Sequence, residues 1–110
     1  MDPLKVFSAR DLRLRSGELL QEAEDGRLSI LTKRGRPAIL AVPFDERLLR
    51  YGVHRAVALD LFEQGQVGLA QGARIAGVSA EDFVALLGEA GVDAVKYSPG
   101  DLEQELQTAL

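Results

Sequence analysis

Hydrophobic positions change their period twice along this chain. Leu4-Lys5-Val6-Phe7 is a short apolar stretch of strand character, and Ser8-Ala9-Arg10-Asp11 behind it is a helix start. Ser8 can cap there, while the acid three residues on faces the free amides of the first turn. Ala9, Leu12, Leu19, Leu20 and Ala23 then recur near helical spacing, with Ser16 interrupting the stripe and Gly26 stopping it. The pattern next contracts into two strands, Leu28-Ser29-Ile30-Leu31-Thr32 and Ala38-Ile39-Leu40-Ala41-Val42. Gly35 supplies the positive φ that the tight turn between them needs. Pro37 fits only a strand start or an edge. Pro43-Phe44-Asp45 ends the second strand, with Asp45 placed to cap a helix that holds Leu48 and Leu49.

From Gly52 onward the pattern is helical. Three helices are expected: about Val53 to Gln64 with Ala56, Leu59 and Phe62 inward; about Leu69 to Ala76; and Ser79 to Ala90, burying Phe83, Leu86 and Leu87. A glycine turn at Gly77-Val78 joins the last two, which fits a helix-turn-helix. Ser98-Pro99 then opens a short amphipathic segment in which Leu102, Leu106 and Leu110 recur every four residues beside Asp101, Glu103 and Glu105. Such a segment gains order by docking, on its own domain or in a partner's groove.

Composition narrows the chemistry. With no cysteine among 110 residues, disulfides, thiolate zinc sites and cysteine nucleophiles are excluded. One histidine, His54, excludes a multi-histidine metal site, so neither a metal nor a cofactor is expected and an enzyme ranks last among the readings. The longest apolar run, Ala38 to Val42, is far short of the roughly 20 residues that cross a bilayer. The first residues lack a basic leader followed by an apolar stretch. The expectation is a cytoplasmic protein with no membrane partner.

Charge divides the chain. Residues 1–50 hold ten Lys and Arg against eight Asp and Glu, whereas residues 51–110 hold three against nine, for a total of −4. Within this acidic protein, Lys33-Arg34-Gly35-Arg36 concentrates cations on one tight turn. Either that tip is merely solvated, or it faces a polyanion. The second strand is apolar on both faces, so both faces should be covered. A unit of about 50 residues has little material to cover them, since domains of that order bury only about 60% of their surface. Dimerisation through Ile39, Leu40 and Val42 is the expected answer.

"VFSARDLRLRSGELLQEAEDGRLSILTKRGRPAILAVPFDE", residues 6–46, resembles the Phd/YefM antitoxin family. The resemblance is carried by Ala9-Arg10-Asp11-Leu12, by Leu19-Leu20 with Gly26, and by Leu31-Thr32-Lys33-Arg34-Gly35-Arg36-Pro37 followed by Leu40 and Val42-Pro43. It implies a β-α-β-β-α unit, a homodimer joined through the sheet, and operator binding by arginine at the first-helix start and by the basic hairpin. Arg10, Lys33, Arg34 and Arg36 occupy those positions, with Arg13 and Arg15 weaker candidates, since an exposed helix face is their default explanation. Guanidinium groups suit phosphate oxygens and guanine edges.

Residues 54–110 are similar to a second family, of small, largely uncharacterised antitoxins with a helix-turn-helix. The matching pieces include Ala58-Leu59, Leu61-Phe62, Gly65, Ala76-Gly77-Val78-Ser79, Phe83, Leu86-Leu87, Gly91, Tyr97 and Leu102, while Gly72 stands where alanine is usual. That family tends to accompany PIN-domain ribonuclease toxins.

The fold expected is therefore α+β: a Phd/YefM-like dimerising and DNA-binding unit over residues 1–52, then an all-α helix-turn-helix-like unit over residues 53–110. The function expected is a type II antitoxin that represses its own operator as a dimer. Its C-terminal half, through Phe83, Leu102, Leu106 and Leu110, would neutralise a ribonuclease toxin, PIN-domain or RelE-like. The alternative is a stand-alone helix-turn-helix regulator that reads DNA through residues 79–90. Against it, that helix carries Glu81, Asp82 and Glu89 and no Lys or Arg, and phosphate neutralisation dominates DNA affinity. A third reading is a protein-only adaptor whose basic turn is a solvated tip.

Overall fold

A computed structural model describes residues 4–94. Its element order is β1 (Lys5–Ser8), α1 (Ala9–Leu14), α2 (Ser16–Glu24), β2 (Ser29–Lys33), β3 (Arg36–Ala41), α3 (Glu46–Tyr51), α4 (Val53–Glu63), α5 (Leu69–Ala76) and α6 (Ala80–Glu89). The architecture is α+β, with one three-stranded sheet in the order β1-β2-β3 and a set of helices. No helix among the described residues is long and apolar enough to cross a membrane.

β1 runs parallel to β2, with Val6 opposite Ile30 and Phe7 opposite Leu31. β3 returns antiparallel, Leu40 facing Ile30 and Ile39 facing Leu31. The register slips between Leu31 and Thr32, where Pro37 rather than Ala38 pairs with Thr32. That bulge lies on an edge strand, where a proline costs no ladder bond and an extra residue spoils outward pairing.

Directly opposed residues share a sheet face, so the sheet carries two rows. Phe7, Leu31 and Ile39 lie on one face; Val6, Ile30 and Leu40 lie on the other. Helices cover the first over β1 and β2 but not over β3, for Phe7 is fully buried and Lys5, on the same face of β1, bonds Glu22 of α2, whereas Ile39 is exposed. The second stays bare, with Val6 and Leu40 both exposed.

The stripe from Ala9 to Ala23 folds as two helices rather than one. Arg15 leaves helical geometry (φ −128°, ψ 28°) and becomes the end of α1 and the start of α2. Its guanidinium lies over the Phe7 ring, 5.0 Å from the centroid, and bonds Glu18. The Ser16-Gly17 pair that follows is poor helix interior, so the chain bends there and lets the arginine stem lie against the aromatic ring.

The helices after Gly52 enclose the main core: Leu59, Phe62, Leu69, Ala73, Phe83, Leu87 and Val92. α4 is buried at consecutive positions from Ala56 to Asp60, which marks a helix covered on more than one side. It is also tied to the sheet: the Gln64 side-chain oxygen accepts a buried hydrogen bond of 2.9 Å from the Leu28 amide. Gly52 alone links α3 to α4, and its φ of 83° turns the chain sharply between them.

Candidate nucleic-acid interface

Because β1 and β2 are parallel and Ser8 pairs with Thr32, both strands end at the same side of the sheet. From Ser8 the chain enters α1; from Lys33 it enters the hairpin. The topology thereby gathers Arg10, Arg13, Lys33, Arg34 and Arg36 around one end of the molecule.

The start of α1 is closed by a capping box. The Asp11 amide donates to Ser8 Oγ at 3.1 Å, and the Ser8 amide donates to Asp11 Oδ2 at 2.9 Å. The Ser8 amide first, then the Ser8 hydroxyl, with Arg15 and Arg10, hold the Asp11 carboxyl below its usual range. The Ser8 and Asp11 amides are thus already engaged, and what α1 chiefly offers a polyanion is side chains. Asp11 is committed to the box and Arg15 to Glu18 and Phe7, which leaves Arg10 and Arg13 exposed with no ion pair among the described residues.

The hairpin tip turns through Arg34 (φ 54°) and Gly35 (φ 75°). Two positive φ values in a two-residue loop are the I′ pattern, which matches the twist of the flanking strands and normally selects Asn-Gly. Arg34 is the one non-glycine residue with positive φ among those described. A left-handed non-glycine residue costs roughly 1–2 kcal/mol. Lys33, Arg34 and Arg36 are exposed, and none forms an ion pair among the described residues.

Elsewhere Lys5, Arg27, Arg47 and Arg50 form ion pairs, while Arg55 of α4 and Arg74 of α5 are exposed with none among the described residues. Lys5 and Arg27 grip the buried Glu22, the latter bidentately at 2.7 and 3.0 Å. The Arg27 bonds, with Lys5, hold the Glu22 carboxyl below its normal value against the cost of burial. Arg47 of α3 bonds the buried Asp60 of α4 at 2.8 Å and Glu63 at 3.2 Å. Burial wins over that arginine at Asp60, whose carboxyl is pushed up to about 6. Arg50 pairs with Glu89 at 3.1 Å. No group of His, Asp and Glu able to hold a metal occurs among the described residues.

The expected dimerisation residues divide between the faces. Ile39 is 58% exposed and Leu40 42% exposed, and with Ile30, Pro37 and Ala38 they line a shallow apolar hollow of about 290 Å³. Val42, just past β3, is half-buried. Within one chain β3 is therefore covered on neither side. Sequence reasoning passed over Val6 and Ile30, which complete the bare row; the alternation of Val6 with Phe7 was the available signal.

Phe83, expected at a toxin surface, has no exposed surface at all. Its ring meets Phe62 edge-on, with centroids 5.9 Å apart at 79°. It also lies against Gly72, where an added Cβ would sit 2.6 Å from Phe83 Cε2. Phe83 is a core residue here, and Gly72 is the space that admits it. Leu102, Leu106 and Leu110 lie outside the described residues.

The helix-turn-helix pattern takes shape as α5, a left-handed Gly77 (φ 75°) and α6, with Ser79 Oγ accepting from the Asp82 amide at 3.0 Å. α6 exposes Glu81, Asp82 and Glu89 and carries no cation. A groove of about 260 Å³ beside it is lined by Arg55, Val78, Asp82, Ala85, Leu86 and Glu89.

These features define a small α+β protein with a basic sheet end and an acidic helix-turn-helix-like half. Residues 38–110, from β3 through α6 and onward, match UPF0175, an uncharacterised protein family, and the chain belongs to it. The match begins inside β3, so β1, α1, α2 and β2 lie outside it, and it does not extend to a Phd/YefM unit. No curated protein and no solved structure matches the chain.

Proposed function

We propose that this chain is the antitoxin of a type II toxin–antitoxin pair. In this reading it is a non-catalytic, dimeric repressor that holds operator DNA with its basic sheet end. Its helical half and C-terminal segment occlude a ribonuclease toxin.

The observation that carries the DNA half is the set of five exposed, unpaired cations, Arg10, Arg13, Lys33, Arg34 and Arg36, at one end of a protein with net charge −4. Arg15, Arg27, Arg47 and Arg50 meet carboxylates, whereas Arg55 and Arg74 do not but stand singly on α4 and α5, in the acidic half. None of these five forms an ion pair among the described residues, Arg10 acting on Asp11 only at longer range, and Arg34 keeps a strained backbone at the tip. Strain at an exposed turn is retained where a side chain is needed there. Each phosphate neutralised releases counterions and adds to affinity, with a slope near −0.9 per contact. The bare sheet row of Val6, Ile30 and Leu40 supports the dimer, which would double the cationic surface. The runner-up, a regulator reading DNA through α6, has three exposed carboxylates and no cation to offer phosphate.

Binding of the full chain to its own promoter, measured against salt, is the test. Replacing Lys33, Arg34 and Arg36 together by Ala should flatten the log–log salt slope by about 0.9 per lost contact, two to three units in all. Replacing Glu81 and Asp82 by Ala should leave specific affinity unchanged. The reverse ranking would transfer the reading head to α6. Co-expression with the product of the neighbouring reading frame, scored by growth, tests the toxin half.

A further inference from the structure

Leu14, the last residue of α1, is 74% exposed. Ala9 and Arg13, and likewise Arg10 and Leu14, stand four apart on this helix, so the four share one face. All four are exposed, while Asp11 and Leu12 on the other side are half-buried. The exposed face of α1 therefore carries two arginines, an alanine and a leucine, and no carboxylate, because the one acid of the helix, Asp11, is folded back into the capping box. Arg15 fixes where this face points. Its break from helical geometry ends α1 at Leu14, so α2 does not continue the face. Its guanidinium lies on the Phe7 ring of β1 at 5.0 Å and reaches Asp11 at 3.7 Å. That tie engages the Asp11 side of α1 and leaves the side with Arg10, Arg13 and Leu14 to solvent.

We propose that this face enters the major groove of operator DNA and that Leu14 is a specificity-determining residue, packing on the 5-methyl group of a thymine. The inference rests on the DNA-binding reading above and adds a base that it recognises. Charge selects the occupant. A face with two arginines that form no ion pair among the described residues, and with no acid, suits a polyanion, and the major groove is wide enough to admit a helix. The apolar group which that groove presents is the thymine methyl, the edges of guanine, adenine and cytosine being polar there. A leucine carried in beside two arginines thus has thymine as its match, as arginine has guanine. Spacing adds a constraint on the operator. Arg10 and Leu14 lie one helical turn apart, about 5–6 Å between their Cβ atoms, and base pairs stack about every 3.4 Å. A guanine read by Arg10 and the thymine read by Leu14 should fall about one or two base pairs apart.

Promoter DNA in which every thymine is replaced by deoxyuridine, which lacks only the methyl group, reads this directly with the full chain. Wild type should bind the substituted promoter about 4-fold more weakly for each methyl contacted, the factor that burial of one such group implies. Leu14→Ala should bind the normal promoter more weakly, keep the salt slope because no phosphate contact is lost, and bind both promoters equally. Its side chain is exposed, so far-UV circular dichroism should match wild type. Leu14→Met, which keeps an apolar side chain of similar size, should retain both the affinity and the sensitivity to the methyl. Equal binding of the two promoters by wild type overturns the role of Leu14 and leaves the DNA-binding reading standing. So does a Leu14→Ala chain as sensitive as wild type, since another residue would then meet the methyl. Absence of wild-type binding to either promoter overturns the DNA-binding reading, and this assignment with it. The guanine is the position at which 7-deazaguanine weakens wild type but not Arg10→Ala, and a separation from the thymine wider than the helix allows overturns the shared face.

Discussion

The helical half and the sheet half of this protein solve the burial problem differently. In the helical half, α4, α5 and α6 close around Leu59, Phe62, Leu69, Phe83 and Leu87, and every one of those side chains is essentially withdrawn from water. In the sheet half, Phe7 and Leu28 are buried, but Val6, Ile39 and Leu40 are not. Part of what the sheet half does bury depends on α4, since Gln64 supplies the partner for the Leu28 amide and Arg47 reaches across Gly52 to Asp60. The lesson concerns division of labour. A half that completes its own core presents a fixed acidic surface. The other half leaves apolar rows exposed and five cations without an ion pair among the described residues.

That contrast predicts opposite outcomes for two single substitutions. Phe83→Ala empties a fully enclosed site against Phe62 and Gly72, and should cost about 3–5 kcal/mol of chain stability in urea titrations. Leu40→Asp alters a residue that is 42% exposed in the single chain. It should leave most helical signal intact while abolishing the dimer, because a carboxylate buried without a partner in the interface is strongly unfavourable. If Leu40→Asp unfolded the chain and Phe83→Ala did not, the assignment of self-sufficient and dependent halves would have to be exchanged.

The same contrast shows how much was legible in the sequence. Local rules held where local chemistry decides: Ser8, Asp45 and Ser79 cap their helices, Gly35 and Gly77 sit at positive φ, and the strands fall within a residue or two of their apolar runs. What periodicity cannot carry is which apolar residues meet which. Phe83 reads equally well as an anchor for a partner and as core, and only the approach of α5 at Gly72 decides for the core. The break at Arg15 was hidden for a similar reason, because it depends on Phe7, eight residues away on a strand. The basic end was legible in its residues but not in its grouping. Parallel pairing of β1 with β2, a long-range fact, is what brings Arg10 to the hairpin.

The carboxylates of the two regions respond to pH with opposite sign. Glu22, gripped by Arg27 and Lys5 beneath the sheet, has a lowered pKa, so its contribution is present above about pH 4.5 and is lost as the carboxylate protonates. Asp60, at the junction of α3 and α4, has a pKa raised by burial to about 6. The native state therefore holds its proton more tightly than the unfolded chain does, and stability from this group falls as pH rises from about 4 to 6. Asp60→Asn keeps an acceptor for Arg47 and removes the titration. Relative to wild type, the variant should gain about 1–3 kcal/mol between pH 4 and pH 7, read from urea midpoints at each pH. A difference that stays flat across that window would show Asp60 to be ionised throughout, with Arg47 outweighing burial.

The smallest expected effect tests the sheet half at its tip, where stability and binding are set against each other in a single residue. Arg34 holds a φ of 54° in a two-residue turn whose other member, Gly35, adopts its positive φ freely. Asparagine tolerates the left-handed region far better than arginine does, because its short polar side chain bonds locally, and Asn-Gly is the favoured pair for this turn. Arg34→Asn should accordingly stabilise the chain by about 0.5–1 kcal/mol, a fraction of the left-handed penalty. It should also weaken promoter binding and flatten its salt slope by about 0.9, the signature of one phosphate contact. Stabilisation without loss of binding would leave the strained arginine with no role in holding DNA. Loss of binding without stabilisation would mean that the tip is not strained in solution. Only the two effects together fit a turn that keeps an unfavourable backbone in order to place a cation.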